Sequence, residues 1–243
     1  MAKPLFITSD VHLGVVPLST ERAFVSFLDH VATAGSELLI AGDLFDFWFE
    51  YGDVIPGAHF RTLAALSRIV DAGIPVTLAG GNHDAWGGRF LRDHLGVRFH
   101  PHPFEMTFPG GRALVAHGDG LGKGDLKYRM LKAVVRSKAA IWSFRALHPE
   151  LGLKLARRVS STDLKAEEGA QLAGRSAFLE AWAREQLAAD PDLRWVVCGH
   201  SHLPVLAEVE PGRFYCNAGD WLTHFTYIEV SPEGVPALKT WKR

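Results

Sequence analysis

The sequence predicts an α/β fold built on a parallel sheet, and three observations carry that prediction. Short apolar runs alternate with longer runs of helical spacing through the N-terminal half. Each apolar run ends in small residues followed by Asp, His or Asn, the pattern of a buried strand emptying into a polar loop. The chain has 243 residues, 47% hydrophobic and 22% charged, which suits a substantial core in a single domain spanning 1–243.

The totals also narrow the function. A formal net charge of −1 gives no global basic field, so no nucleic acid partner is expected. Cys198 and Cys216 cannot form a disulfide framework; with no leader apparent at Met1, they point to reduced thiols in a cytoplasmic protein. No stretch approaches about 18 consecutive apolar residues, so any membrane contact is expected to be peripheral. No internal repeat, linker or obligate protein partner is inferred. The unusual total is 12 histidines, several of them at predicted strand ends.

Taken in order, Leu5–Ser9 reads as a strand emptying into Asp10-Val11-His12. Two residues apart on extended chain, Asp10 and His12 point to one side and can face one ion; alone they read as a capping Asp and a surface His. Ser19 is the expected N-cap of a helix with Phe24, Phe27, Leu28 and Val31 on one face, closed by Gly35. Glu37–Ala41 is the second strand, delivering Gly42-Asp43-Leu44-Phe45-Asp46. The aromatics Phe47 to Tyr51 that follow either pack beneath the loop or wall a substrate. A second helix is predicted from Pro56 to Ala72, with Phe60, Leu63, Leu66, Ile69 and Val70 inward and Gly73 as its stop. Ile74–Ala79 is the third strand; Gly80 and Gly81 let the backbone turn sharply into Asn82-His83-Asp84. A short helix is expected from Arg89 to His94.

Beyond this point the pattern turns β-like, with a hairpin turn at Gly110-Gly111 and a strand Ala113–Ala116 that ends in His117-Gly118-Asp119. From 125 to 158 nine Lys and Arg residues alternate with Met130, Leu131, Val134, Trp142, Phe144 and other apolar residues at helical spacing. Such helices can simply solvate their basic face. Following a site motif directly, they are expected to form a lid, and Pro149 to break them. A longer helix is predicted over Leu164–Ala189, with Leu172, Phe178, Leu179, Trp182 and Leu187 inward. Trp195–Cys198 is a strand ending in Gly199-His200-Ser201-His202, and short strands follow to the C-terminus.

In parallel sheets ligands gather beyond the carboxyl ends of the strands, where all these polar groups fall. Carboxylates, imidazoles and an amide oxygen without thiolate suit Mn²⁺, Fe or Zn²⁺, and Mg²⁺ less well. The donors outnumber one octahedral ion that keeps an open position, and suffice for two ions sharing a carboxylate. Two such ions can bind a hydroxide and phosphoryl oxygens together.

The five motifs, Asp10-Val11-His12, Gly42-Asp43, Gly81-Asn82-His83-Asp84, His117-Gly118-Asp119 and Gly199-His200-Ser201-His202, resemble those of the calcineurin-like metallophosphoesterases. The resemblance implies a four-layer α/β/β/α sandwich with a two-metal site. It implies that Asp10, His12, Asp43 and His202 hold one ion, and that Asp43, Asn82, His117 and His200 hold the other. His83 would protonate the leaving oxygen or stabilise the transition state, and Asp84 would orient His83. Gly42 to Trp48, His117 to Leu121, the helical insertion and Asn217 to Trp221 are similar to the UDP-2,3-diacylglucosamine diphosphatases of lipid A synthesis. That family implies two Mn²⁺ and pyrophosphate cleavage to UMP and 2,3-diacylglucosamine 1-phosphate. It also implies a lid over 125–165 that holds acyl chains, at the cytoplasmic face of the inner membrane. Asn82, His83, Asp125, Ser160 and Lys165 are then the expected substrate contacts, with Ser161 beside them. His83 stands where one branch of that family has Arg, which also leaves open a soluble phosphodiesterase or phosphatase acting on nucleotides or other phosphoesters.

Overall fold

Alternating side chains on short buried strands set the architecture. The computed structural model describes residues 2–52, 54–121, 126–164 and 169–242. The chain runs through β1 (Leu5–Thr8), α1 (Leu18–Ala34), β2 (Glu37–Ile40), α2 (Phe60–Asp71) and β3 (Val76–Ala79). A π-helical turn (Phe90–His94) leads to β4 (Arg98–His100), β5 (Phe104–Phe108) and β6 (Gly111–Val115). Four helices follow: α3 (Leu126–Val135), α4 (Lys138–Arg145), α5 (Pro149–Leu164) and α6 (Gly169–Ala189). The chain then closes with β7 (Leu193–Cys198), β8 (Pro204–Glu210), β9 (Arg213–Ala218), β10 (Thr226–Val230) and β11 (Pro236–Thr240).

β1, β2, β3 and β4 are mutually parallel, and β10 and then β11 are added at the β1 edge, each antiparallel to its neighbour, giving the order β11-β10-β1-β2-β3-β4. The second sheet has the order β5-β6-β7-β9-β8, with β6, β7 and β9 parallel. Successive residues of a strand face opposite sides. Leu5, Ile7 and Leu39 therefore meet Val115, Trp195 and Val197 between the sheets. Phe6, Leu38, Ile40 and Leu78 point the other way, against Phe24, Phe27, Leu63 and Leu66 of α1 and α2. On the far side Leu179, Ala183 and Leu187 of α6, four residues apart, cover Val196, Cys198 and Tyr215. The layers are thus helix, sheet, sheet, helix, as expected.

Several local expectations change. α1 begins at Leu18 after Pro17, whose φ of −59° already suits a helix start, so Ser19 lies inside the helix and is not its cap. Phe60 is 72% exposed, because the inward stripe of α2 runs through Leu63, Leu66 and Ile69. Leu164 belongs to α5, and α6 is described from Gly169; on it Phe178 is exposed and Leu172 half-buried. α4 already stops at Arg145, so Pro149 does not itself end the helical run; it opens α5, where its missing N–H is harmless. Among the described residues, no helix is long and apolar enough to cross a membrane.

Candidate metal centre

The site lies where five strands of the two sheets, β1, β2, β3, β6 and β7, end side by side. After β1, the N–H of Asp10 donates to Gly42 O (3.1 Å), and those of Val11 and His12 donate to Asp43 O (2.9 and 3.0 Å), zipping the first two loops together. Asp10, His12, Asp43, His200 and His202 all take positive φ, between 51° and 65°. Left-handed backbone is uncommon outside glycine and concentrates at functional sites. Here it turns each side chain back over the sheet ends. Glycine allows the close approach of the loops: a Cβ on Gly81 would overlap the Asp43 carboxylate, and one on Gly42 would overlap the His117 ring.

Three groups of donor atoms result, each within 4.8 Å: Asp10, His12 and His202; His12, Asp43 and His83; and Asp43, His117 and His200. Asp43 and His12 each belong to two of them. His117 Nε2 lies 3.1 Å from Asp43 Oδ2 and 3.2 Å from Asn82 Oδ1, so Asn82 converges on the third group. His117 Nδ1 donates to Ala41 O at 2.9 Å, which turns Nε2 toward the site. His202 presents Nε2 to Asp10 (3.7 Å) and Nδ1 to Asp220 (3.5 Å). Both ring nitrogens of His12 are buried without a hydrogen-bond partner among the described residues. A buried polar atom left this way is costly, and a cation satisfies it. The donor set therefore fits divalent metal, and all seven residues expected as ligands are brought to one place.

The charges respond to one another. Burial opposes ionisation of Asp43, but His117, His83 and His12 outweigh it and hold its carboxyl well below the usual range. Burial likewise opposes a charge on His117, yet Asp43, with Asp10 and Asp119, pushes it up to about 10. His200 is neutral, its burial reinforced by His117 and Arg175. For His83, burial works against the proton, and Asp43, Asp46 and Asp84 overcome it to raise its pKa.

The two expected catalytic residues sit differently. His83 lies at the mouth of the site; its backbone N–H donates to Asp43 Oδ1 (3.0 Å) and its Nδ1 contacts Asp46 O at 2.9 Å. Asp84 is fully buried, and its carboxylate accepts the N–H groups of Gly81 (2.8 Å) and Leu44 (2.8 Å). Its hydrogen bonds thus join two loops, and the contact that orients the His83 ring comes from Asp46. Asp46 stands in the quoted Gly42–Asp46 motif but has no expected role; its Oδ1 also lies 3.9 Å from His12 Nδ1. Asp220 likewise backs His202 and accepts the N–H groups of Thr223 and His224 (2.9 Å each). Asx residues at strand ends were the signal for both, but nothing local marks which histidine each supports.

Beside His83 lies a cavity of about 370 Å³, walled by Asn82, His83 and Trp86 on one side and by Leu131, Phe144 and Leu155 of α3, α4 and α5 on the other. Phe47, Phe49 and Trp86 pack around Phe144 with ring centroids 4.7–5.7 Å away. The aromatic run thus packs beneath the loop, and Phe47 also lines the cavity. Of the remaining expected substrate contacts, Asp125 and Lys165 lie outside the described residues. Ser160 and Ser161 lie on α5, and their side chains also fall outside what is described.

A family model of the calcineurin-like phosphoesterases matches residues 3–204, and the chain belongs to that family. It is a metal-dependent hydrolase whose fold binds divalent metal. Within that class it is similar to proteins named UDP-2,3-diacylglucosamine hydrolase. The one from Porphyromonas gingivalis is 26% identical over 93% of this chain and 94% of its own length. That from Bordetella parapertussis is 34% identical over 83% of this chain and 78% of its own. That from Escherichia fergusonii is 29% identical over 96% and 97%.

Proposed function

We propose that the chain hydrolyses the pyrophosphate of UDP-2,3-diacylglucosamine, giving UMP and 2,3-diacylglucosamine 1-phosphate, with two Mn²⁺ as its metals. The observation that carries this reading is the cavity: one wall holds Asn82 and His83 beside the donor groups, and the other is the apolar inner side of α3–α5. A phosphoester joined to acyl chains matches both ends, and the relatives are named for such a substrate. In this reading Asp10, His12, Asp43 and His202 hold one ion, and Asp43, Asn82, His117 and His200 hold the other. Bound there, the ions supply a hydroxide nucleophile and neutralise charge on the phosphoryl oxygens. His83 does the proton work. The Asp46 carbonyl fixes its Nδ1, leaving Nε2 for the substrate, and the surrounding carboxylates raise the ring's affinity for the proton it would give the leaving oxygen.

Residues 125–165 act as a lid within a single domain of 1–243, and Asp125, Ser160 and Lys165 contribute to the substrate's sugar and phosphate end. On the lid's outer side Met130, Val134, Trp142 and Leu151 are each more than half exposed, among Lys and Arg residues. Such a surface suits peripheral contact with an anionic bilayer at the cytoplasmic face of the inner membrane. Product analysis with Mn²⁺ tests the reading, offering UDP-2,3-diacylglucosamine beside UDP-glucosamine and an aryl phosphodiester. UMP from the acylated substrate and not from UDP-glucosamine is the expected result, with the aryl ester cleaved only slowly. Equal cleavage of the aryl ester would assign the chain to soluble phosphodiesterases or phosphatases instead.

A further inference from the structure

The loop that carries Asn82 and His83 is tied at both ends to the last turn of α3. At its start, Arg136 Nη2 donates to Gly81 O at 2.9 Å, and Nη1 of the same guanidinium donates to Pro101 O at 2.7 Å. At its end, the Trp86 indole N–H donates to Val135 O at 3.1 Å. Arg136 also reaches the loop after β6: its Nη2 lies 3.7 Å from Asp119 Oδ2, which pairs with Lys132 Nζ at 2.6 Å. Asp119 is two residues from His117, and Gly81 is one residue from Asn82. Only 13% of the Arg136 side chain is exposed, and it stands between the cavity beside His83 and a second one of about 440 Å³ behind His117.

We propose that Arg136 is a positioning residue for the reaction: it fixes the Asn82–His83 loop against the His117–Asp119 loop, so that the seated position of α3 is a condition for turnover. The inference rests on the two-metal reading above. A planar guanidinium with several fixed donors can bridge a carbonyl on one loop, a carbonyl on a second and a carboxylate on a third; a lysine ammonium has one nitrogen and cannot span them. The consequence reaches beyond substrate binding. A guanidinium that only gripped the acylated substrate would leave a small diester unaffected, whereas one that aligns the loops governs every substrate.

The test is kinetics on an aryl phosphodiester with Mn²⁺, a substrate with no acyl chain, together with the Mn²⁺ affinity of the protein. Removing a residue that supports metal-site geometry typically costs about 10–100-fold in activity or metal affinity. Arg136→Met is expected to lower kcat on the diester by that factor, with KM little changed and one Mn²⁺ bound more weakly. Arg136→Lys should recover part of the loss. Trp86→Phe, which keeps the ring and removes only the N–H, should move both readouts the same way to a smaller extent and serves if Arg136→Met fails to fold. Unchanged diester kcat and Mn²⁺ affinity in the folded variants, with loss only on the acylated substrate, would overturn the inference. A wild-type protein without Mn²⁺-dependent phosphoesterase activity would instead remove the reading beneath it.

Discussion

Replacing Gly81 by Ala tests how tightly the site is assembled. The added methyl would overlap Asp43 Oδ1 and stand 2.7 Å from both Cγ and the backbone N of Asp43, where ordinary contact begins near 3.4 Å. Asp43 or the loop must therefore give way by at least about 0.7 Å, and because one of the clashing atoms is backbone, rotation of the side chain cannot relieve it. Overpacking of this kind costs about 1–3 kcal/mol, a fall in Tm of roughly 2–12 °C for a chain of this size. The effect on chemistry is larger in proportion, since a displacement near 1 Å can cost about 10²-fold. Asp43 belongs to two donor groups, so both are disturbed. The assays are Mn²⁺-dependent turnover, metal content after dialysis and thermal melting. Gly174→Ala is the control, on α6 with no described atom outside the helix's own backbone within 4 Å of the new methyl, where stability should hold or rise slightly. Wild-type turnover and metal content in Gly81→Ala would refute the packing argument.

Four further outcomes are expected. His83→Ala should retain metal and lose about 10²–10⁴-fold in turnover, the usual worth of a general acid; unchanged turnover would remove it from the proton path. Asp43→Ala should lose activity through loss of metal, and two ions still bound per chain by elemental analysis would disprove its shared role. Mn²⁺ affinity should rise with pH, by up to about tenfold per unit, because His117 must shed its proton to become a ligand and Asp43 holds that proton up to about pH 10. The EDTA-stripped protein should show the opposite sign from the same group. The stability that protonated His117 contributes is full below its unfolded pKa near 6.5 and fades as pH rises toward about 10. Titration calorimetry and melting curves across that range separate the two signs.

Much of this was legible because the strands are short and their ends chemically distinct. Leu5–Thr8, Glu37–Ile40 and Val76–Ala79 each deliver polar residues at once, so the candidate donors could be collected before any geometry was known. Partnership over long sequence distance was not legible. That Asp46 supports His83, Asp220 supports His202 and Arg136 bridges three loops depends on contacts between residues 17 to 55 positions apart. The parallel pairing of β4 with β3 was hidden for a similar reason: three residues, Arg98 to His100, carry no signal of direction. Ser19 and Phe60 misled because a favourable residue type was read without the neighbour that overrides it, Pro17 in the first case and the Leu63–Leu66–Ile69 stripe in the second.

Five side chains at the centre hold their backbone in the left-handed region. For a residue with a Cβ that conformation costs on the order of 1 kcal/mol or more, so together the five draw on a sum comparable with the whole net stability of an ordinary domain. Glycine at any of them would relax the chain and remove a donor. Metal supply then becomes a determinant of how much folded protein a cell keeps, since an ion that binds only the native state offsets the conformational penalty. Starvation for the metal would lower the protein's abundance as well as its rate.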